Sequence, residues 1–154
     1  MRTLSSLLVK SLQVNLNANV IGEKFNGSWR WSSRETLLNN VYYCRELLKQ
    51  ENIQRGDRVA YKGDNSIEWI SWNIACNSLG GVWVPMYANQ NMDYCNHVVN
   101  DSGASLCITD DADMSFMNTK TMENMIVEIP EACKSLDFIE NDIATLIYTS
   151  GTTG

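Results

Sequence analysis

The sequence predicts an α/β fold, a mainly parallel sheet with βαβ crossovers, preceded by an N-terminal β-hairpin. Three observations carry this expectation. From Gly56 to Thr109, short β-branched runs alternate with helical spacing in the order strand, helix, strand, helix, strand. Between Val20 and Trp31, two extended runs flank Asn26-Gly27, a dipeptide whose tolerance of positive φ suits a two-residue type I′ turn. Between these regions, Leu37, Leu38, Val41, Cys44, Leu47 and Leu48 recur at the spacing of one helical face. Right-handed crossovers then make the later strands parallel.

A chain of 154 residues has room for one domain with a sizeable core. Apolar content of 44% and charged content of 19% are those of a globular protein and exclude a disordered one. A net charge of −6 without a basic stripe argues against a nucleic-acid partner. The five cysteines, Cys44, Cys76, Cys95, Cys107 and Cys133, are odd in number and form no Cys-x-x-Cys pair. That pattern fits buried thiols in a reducing, cytoplasmic setting better than a disulfide framework or zinc site. His97 is the single histidine, so no multi-histidine metal site can form within the chain. No catalytic residue and no metal ligand is assigned.

Taken in order, residues 1–19 read as a helix and lead-in. Leu4, Leu7, Leu8, Val9 and Leu12 suit a short amphipathic helix packed on its own domain. The alternative is peripheral membrane contact, while no stretch is long and apolar enough for a transmembrane segment. Residues 20–31 form the hairpin, with Trp29 and Trp31 on one face as core or hairpin packing. Residues 32–109 form the α/β core. Ser32 and Glu35 have capping-box spacing ahead of a helix ending near Gln50. Residues 58–61 are a strand, and Asp64-Asn65-Ser66 leads into a helix carrying Ile67, Ile70, Ile74 and Leu79. Residues 82–86 are a strand in which Pro85, lacking an N–H, marks an end or an edge. A helix over 92–99 and a strand over 105–109 follow. Cys95 and Cys107 fall on apolar faces, His97 on a helix surface, and Trp69, Trp72 and Trp83 read as packing residues. Residues 110–141 are a loop-rich connection with a short strand near 125–129. Its Asp110, Asp111 and Asp113 suit a solvated loop better than a cation site.

Residues 142–154 are the most informative. Residues 143–147 (Ile-Ala-Thr-Leu-Ile) have the apolar, β-branched bias of a buried strand. Thr149, Ser150, Gly151, Thr152, Thr153 and Gly154 follow without a bulky side chain. Consecutive backbone N–H groups in such a loop make an anion-binding concavity, and the hydroxyls add donors. The spacing is not that of a Walker A loop. On composition, a phosphate cradle and a flexible polar tail both remain open.

Tyr148-Thr149-Ser150-Gly151-Thr152-Thr153-Gly154 closely resembles the phosphate-loop signature of the AMP-forming adenylate synthetases, which include acyl-CoA synthetases, luciferases and peptide-synthetase adenylation domains. The likeness extends upstream in the family's order. Arg55-Gly56-Asp57-Arg58-Val59-Ala60 resembles an early family segment, and Asp64-Asn65-Ser66-Ile67-Glu68-Trp69 resembles an element of fatty acyl-CoA synthetases. Leu79-Gly80-Gly81-Val82-Trp83-Val84-Pro85-Met86-Tyr87 and Asn100-Asp101-Ser102-Gly103-Ala104 resemble the segments that follow. The set is most similar to the N-terminal part of long-chain fatty acyl-CoA synthetases.

The resemblance implies an incomplete N-terminal part of a larger synthetase fold. Its substrates would be ATP with Mg²⁺, a fatty acid, and coenzyme A as co-substrate. Residues 149–154 would hold the β- and γ-phosphates. The family's loop continues through Pro-Lys-Gly, and its further catalytic motifs lie downstream, so the isolated chain is expected not to turn over. The stretch after Asp110 also looks shorter than in relatives. Two alternatives stand beside this reading, a non-catalytic binding or regulatory module that kept the fold and a product without a stable fold.

Overall fold

The computed structural model describes residues 3–109 and 136–149. The expected strand near 125–129, the acidic cluster Asp110, Asp111 and Asp113, and Ser150 to Gly154 lie outside the described residues.

Helix α1 (Leu4–Leu12) is closed at its start by a reciprocal capping box between Thr3 and Ser6. It buries Val9 and Leu12 and leaves Leu4 85% exposed. The hairpin pairs β1 (Asn19–Phe25) with β2 (Ser28–Ser33) antiparallel, and Asn26 and Gly27 take positive φ of 48° and 81° as the turn requires. Trp29 and Trp31 do share a face, with ring centroids 6.1 Å apart. They are not core residues, being 62% and 55% exposed. Trp31 instead lies over the hairpin's own Gly22, where a Cβ would come within 3.0 Å of the indole.

Helix α2 (Arg34–Gln50) starts one residue later than the Ser32–Glu35 capping box predicts. Ser33 is the N-cap, accepting from the Thr36 N–H at 3.1 Å. Ser32 is held in the hairpin ladder opposite Ile21, so the chain stays extended past it.

The parallel unit follows the expected alternation. Strand β3 (Arg58–Gly63), helix α3 (Ile67–Ser78), strand β4 (Val82–Tyr87), helix α4 (Met92–Ser102) and strand β5 (Leu106–Thr109) form a three-stranded sheet in the order β4-β3-β5, all parallel. Ser66 caps α3 by accepting from the Trp69 N–H at 3.2 Å. Helix α4 runs three residues beyond the predicted end. It stops at Gly103, whose φ of 61° is the left-handed C-cap position and where a Cβ would sit 2.9 Å from the Arg58 guanidinium. That guanidinium donates to the Ser102 and Gly103 carbonyls, both at 2.8 Å, satisfying groups that the helix end leaves unpaired.

The crossover from β3 to β4 runs one way across the sheet, and the crossover from β4 to β5 runs back. Crossovers of one hand must then lie on opposite faces. The side chains agree. Val59, Tyr61, Trp83, Leu106 and Ile108 pack with α1, α2 and α3 on one face. Ala60, Val84, Met86 and Cys107 pack with Cys95, Val98 and Val99 of α4 on the other. On the first face Trp83 is fully buried, with Tyr61 at 5.3 Å and Trp69 edge-on at 5.9 Å between centroids.

Residues 142–149, here called the strap, run beside β4 but do not form the predicted buried strand. One parallel bridge joins Thr145 to Trp83, made by Trp83 N–H to Ala144 O (3.0 Å) and Leu146 N–H to Trp83 O (2.9 Å). Ile143 and Ile147 are 62% and 73% exposed. The reason lies in β4. N–H groups alternate sides along a strand, so position 85 would be the next donor toward the strap. Pro85 has no N–H. It ends neither β4 nor its pairing with β3, where it faces Tyr61, but it does end the pairing with the strap.

Candidate functional site

Strand β3 leaves its C-terminal end toward α3 on one face, while the adjacent β4 leaves its end toward α4 on the other. The connections diverge, and a crevice opens between them. Such a topological switch point at the carboxyl ends of parallel strands is where open α/β sheets bind ligands. Here the crevice encloses about 550 Å³. Gly63 and Asn65 line it from the β3 exit, Trp69 from α3, and Pro85, Met86, Tyr87 and Gln90 from the end of β4 and its loop. Tyr94 of α4 and Ile147, Tyr148 and Thr149 of the strap close the other side.

The described lining contains no Lys, Arg, Asp or Glu. It is aromatic and amide in character, suited to a flat or apolar group with a few hydrogen bonds. Charge on a bound phosphate would have to be met by donors at the mouth, where the strap delivers Thr149. Among the described residues no group of three His, Cys, Asp or Glu side chains could hold a metal ion. The described residues therefore offer no protein cage for Mg²⁺.

Polar ties along the strap set where Thr149 lies. Arg55 donates to Asp142 Oδ1 from Nε at 2.9 Å and from a terminal nitrogen at 2.5 Å. Asn77 Nδ2 donates to the Ala144 carbonyl at 3.3 Å. The Tyr94 hydroxyl donates to the Tyr148 carbonyl at 3.3 Å. The Tyr148 hydroxyl donates to Asp101 Oδ2 at 2.6 Å, and the exposed His97 ring sits edge-on to Tyr148 at 6.2 Å. The bond to Asp101, helped by desolvation, holds the Tyr148 hydroxyl above the usual tyrosine value of 10.0.

Of the sequence-predicted loop, Thr149 lies at the crevice mouth; Ser150, Gly151, Thr152, Thr153 and Gly154 are outside the described residues. Trp72 and Trp83 are packing residues as expected, whereas Trp69 also lines the crevice. Cys95 and Cys107 are core, and burial pushes the Cys107 thiol up to about 12. Sequence reading missed Asn65, Tyr87, Gln90 and Tyr94. The available signal was positional, since each lies at or just after the end of a parallel strand or at the start of the helix that follows.

Fold and crevice together define an α/β domain with a candidate ligand crevice at its switch point, to which the strap brings Thr149. The family model of AMP-binding enzymes matches residues 15–154, and the chain belongs to that family. It is 29% identical over 136 residues to bacitracin synthase 1 of Bacillus licheniformis, covering 83% of this chain and 2% of that protein. It is 29% identical over 118 residues to a feruloyl-CoA synthase of an Amycolatopsis species, covering 70% of this chain and 23% of that one. The chain thus spans less than a quarter of either relative. The crystal structure of VinN superposes with a TM-score of 0.81 at 20% identity, over 99% of this chain and 41% of that one, which shows the shared fold. Among the described residues, no helix is long and apolar enough to cross a membrane.

Proposed function

We propose that this chain is the nucleotide-facing N-terminal part of an ATP-dependent acyl-CoA synthetase. In the complete reaction a carboxylate oxygen attacks the α-phosphorus of ATP, and the bond to the departing pyrophosphate breaks, giving acyl-AMP. The thiol of coenzyme A then attacks the acyl carbonyl, loses its proton and expels AMP. A carboxylate is a poor acyl donor because it is an anion with a poor leaving group, and joining it to AMP corrects both defects.

In this reading Thr149, Ser150, Gly151, Thr152, Thr153 and Gly154 hold the β- and γ-phosphates. Their N–H groups and hydroxyls meet the charge that grows on pyrophosphate, which is preorganised electrostatic catalysis. Mg²⁺ would share that charge when bound with the nucleotide. The single observation that carries the proposal is the delivery of Thr149 by the strap to the mouth of the switch-point crevice. A fatty acid as the carboxylate and coenzyme A as the acceptor are supported by the resemblances at Asp64 to Trp69 and Leu79 to Tyr87.

The isolated chain should form no acyl-AMP, because the resemblance puts further catalytic motifs downstream. The test has two arms. The native product is captured from its source cells, weighed intact, and assayed for ATP–pyrophosphate exchange with a panel of carboxylic acids. The 154-residue chain is assayed alone for hydroxamate-trapped acyl-adenylate. Exchange in a heavier native product and none in the chain are expected. A heavier product that exchanges with no acid overturns the synthetase reading, and robust acyl-AMP from the chain overturns its incompleteness.

A further inference from the structure

The strap is placed by polar ties and only partial burial: Leu146 and Tyr148 pack against the core on the α4 face, while Ile143 and Ile147 are largely exposed and its ladder to β4 is a single bridge. The last side-chain tie before Thr149 is the bond from the Tyr148 hydroxyl to Asp101. Asp101 stands in the last turn of α4. A carboxylate there faces the negative end of the helix dipole, an unfavourable place for it. The helix end itself is well anchored, with Gly103 as C-cap and Arg58 on the terminal carbonyls. Asp101 is therefore a fixed acceptor on a rigid element, and it does not line the crevice.

We propose that Asp101 is a positioning residue for the end of the strap: by holding the Tyr148 hydroxyl it sets where Thr149 meets the crevice. The inference rests on the reading above that Thr149 and the residues after it carry the phosphates. Asp101 touches no phosphate; it acts through Tyr148, one residue away from the loop. A charge-assisted hydrogen bond of this length is among the stronger ties a side chain offers. Without it the position of Thr149 must be fixed by the ligand, which lowers affinity.

The test uses the full 154-residue chain and its Tyr148→Phe, Asp101→Ala and Asp101→Asn variants. Binding of ATP and of inorganic pyrophosphate is followed by tryptophan fluorescence, Trp69 being in the crevice. Amide exchange at Leu146 is followed by hydrogen–deuterium mass spectrometry. Tyr148→Phe and Asp101→Ala should each weaken binding about tenfold and speed exchange at Leu146, the value of one hydrogen bond to a charged acceptor. The double variant should be no worse than either single one. Asp101→Asn, whose amide oxygen still accepts, should recover most of the affinity. If the wild-type chain binds and Tyr148→Phe binds equally well, the positioning role is overturned and the phosphate reading stands. Failure of Asp101→Asn to rescue overturns the hydrogen-bond account. If the wild-type chain binds neither ATP nor pyrophosphate, the phosphate reading falls for this chain and the positioning role with it. Should Asp101→Ala not fold, Tyr148→Phe, which removes a single hydroxyl, decides the matter.

Discussion

Strand β3 and the strap lie on either side of β4, yet they are held by different physics. Val59 and Ala60 of β3 are fully buried between two helical layers, and both edges of that strand are paired. The strap has one bridge, two exposed isoleucines, an ion pair at its start and a tyrosine latch at its end. The first is maintained by apolar area removed from water on both faces, the second by a few polar contacts and the partial burial of Leu146 and Tyr148. The comparison teaches that the segment leading to the proposed phosphate loop is tied to the core by less buried area than β3 is, which makes it the candidate for local opening ahead of the domain.

The sharpest way to break that contrast is Trp83→Ala. Trp83 is fully buried and touches both regions, and truncating a core tryptophan costs about 3–5 kcal/mol. Urea denaturation should show a large loss of stability or no cooperative transition. Trp83→Phe keeps most of the area and discards an indole N–H that has no partner among the described residues, so its cost should stay under about 1.5 kcal/mol. Next in size is Ser66→Ala, which removes the N-cap of α3 and should cost about 1 kcal/mol in the same assay.

On the strap the effects should be smaller in stability and visible elsewhere. Arg55 is 60% exposed on its side chain, so Arg55→Ala should change global stability by less than about 1 kcal/mol. It should nevertheless speed exchange at Leu146, an effect that high salt reproduces in the wild type. Ile147→Thr should be the mildest, within about 0.5 kcal/mol, as for other surface substitutions. A cost several times larger would mean that the strap is a buried strand after all.

Titration sharpens the comparison from another side. Because the folded pKa of Tyr148 is raised above 10.0, its latch contributes fully below pH 10 and is lost as pH rises through the folded value. Tyrosinate absorbance should show late-titrating groups, Tyr148 and Tyr43 among them, with one such step absent in Tyr148→Phe. In the core, burial holds Cys44 high and pushes Cys76 up to about 12, so alkylation mapped by mass spectrometry should leave both unmodified in the native chain near neutral pH.

The βαβαβ order, the hairpin turn at Asn26-Gly27 and the N-cap at Ser66 were legible because each is written in local periodicity or in residues with special backbone preferences. The Thr-Ser-Gly stretch stood out for the same local reason. The capping box at Ser32 misled because pairing of Ser32 with Ile21 overrides a local preference of the following helix. For Trp29 and Trp31 the sequence left core and hairpin packing both open, and the structure shows the second: alternation gives a face, while only the rest of the fold says whether that face is covered.

What the sequence by itself determined is the order of the elements from α1 to β5 and the family likeness, since these depend on residues near one another along the chain. Only the tertiary structure decided that β3 lies between β4 and β5, that the crevice opens where their connections part, and that Asp101 meets Tyr148 across 47 positions. Such contacts join residues far apart in sequence, and their energy depends on burial and geometry that no local pattern encodes.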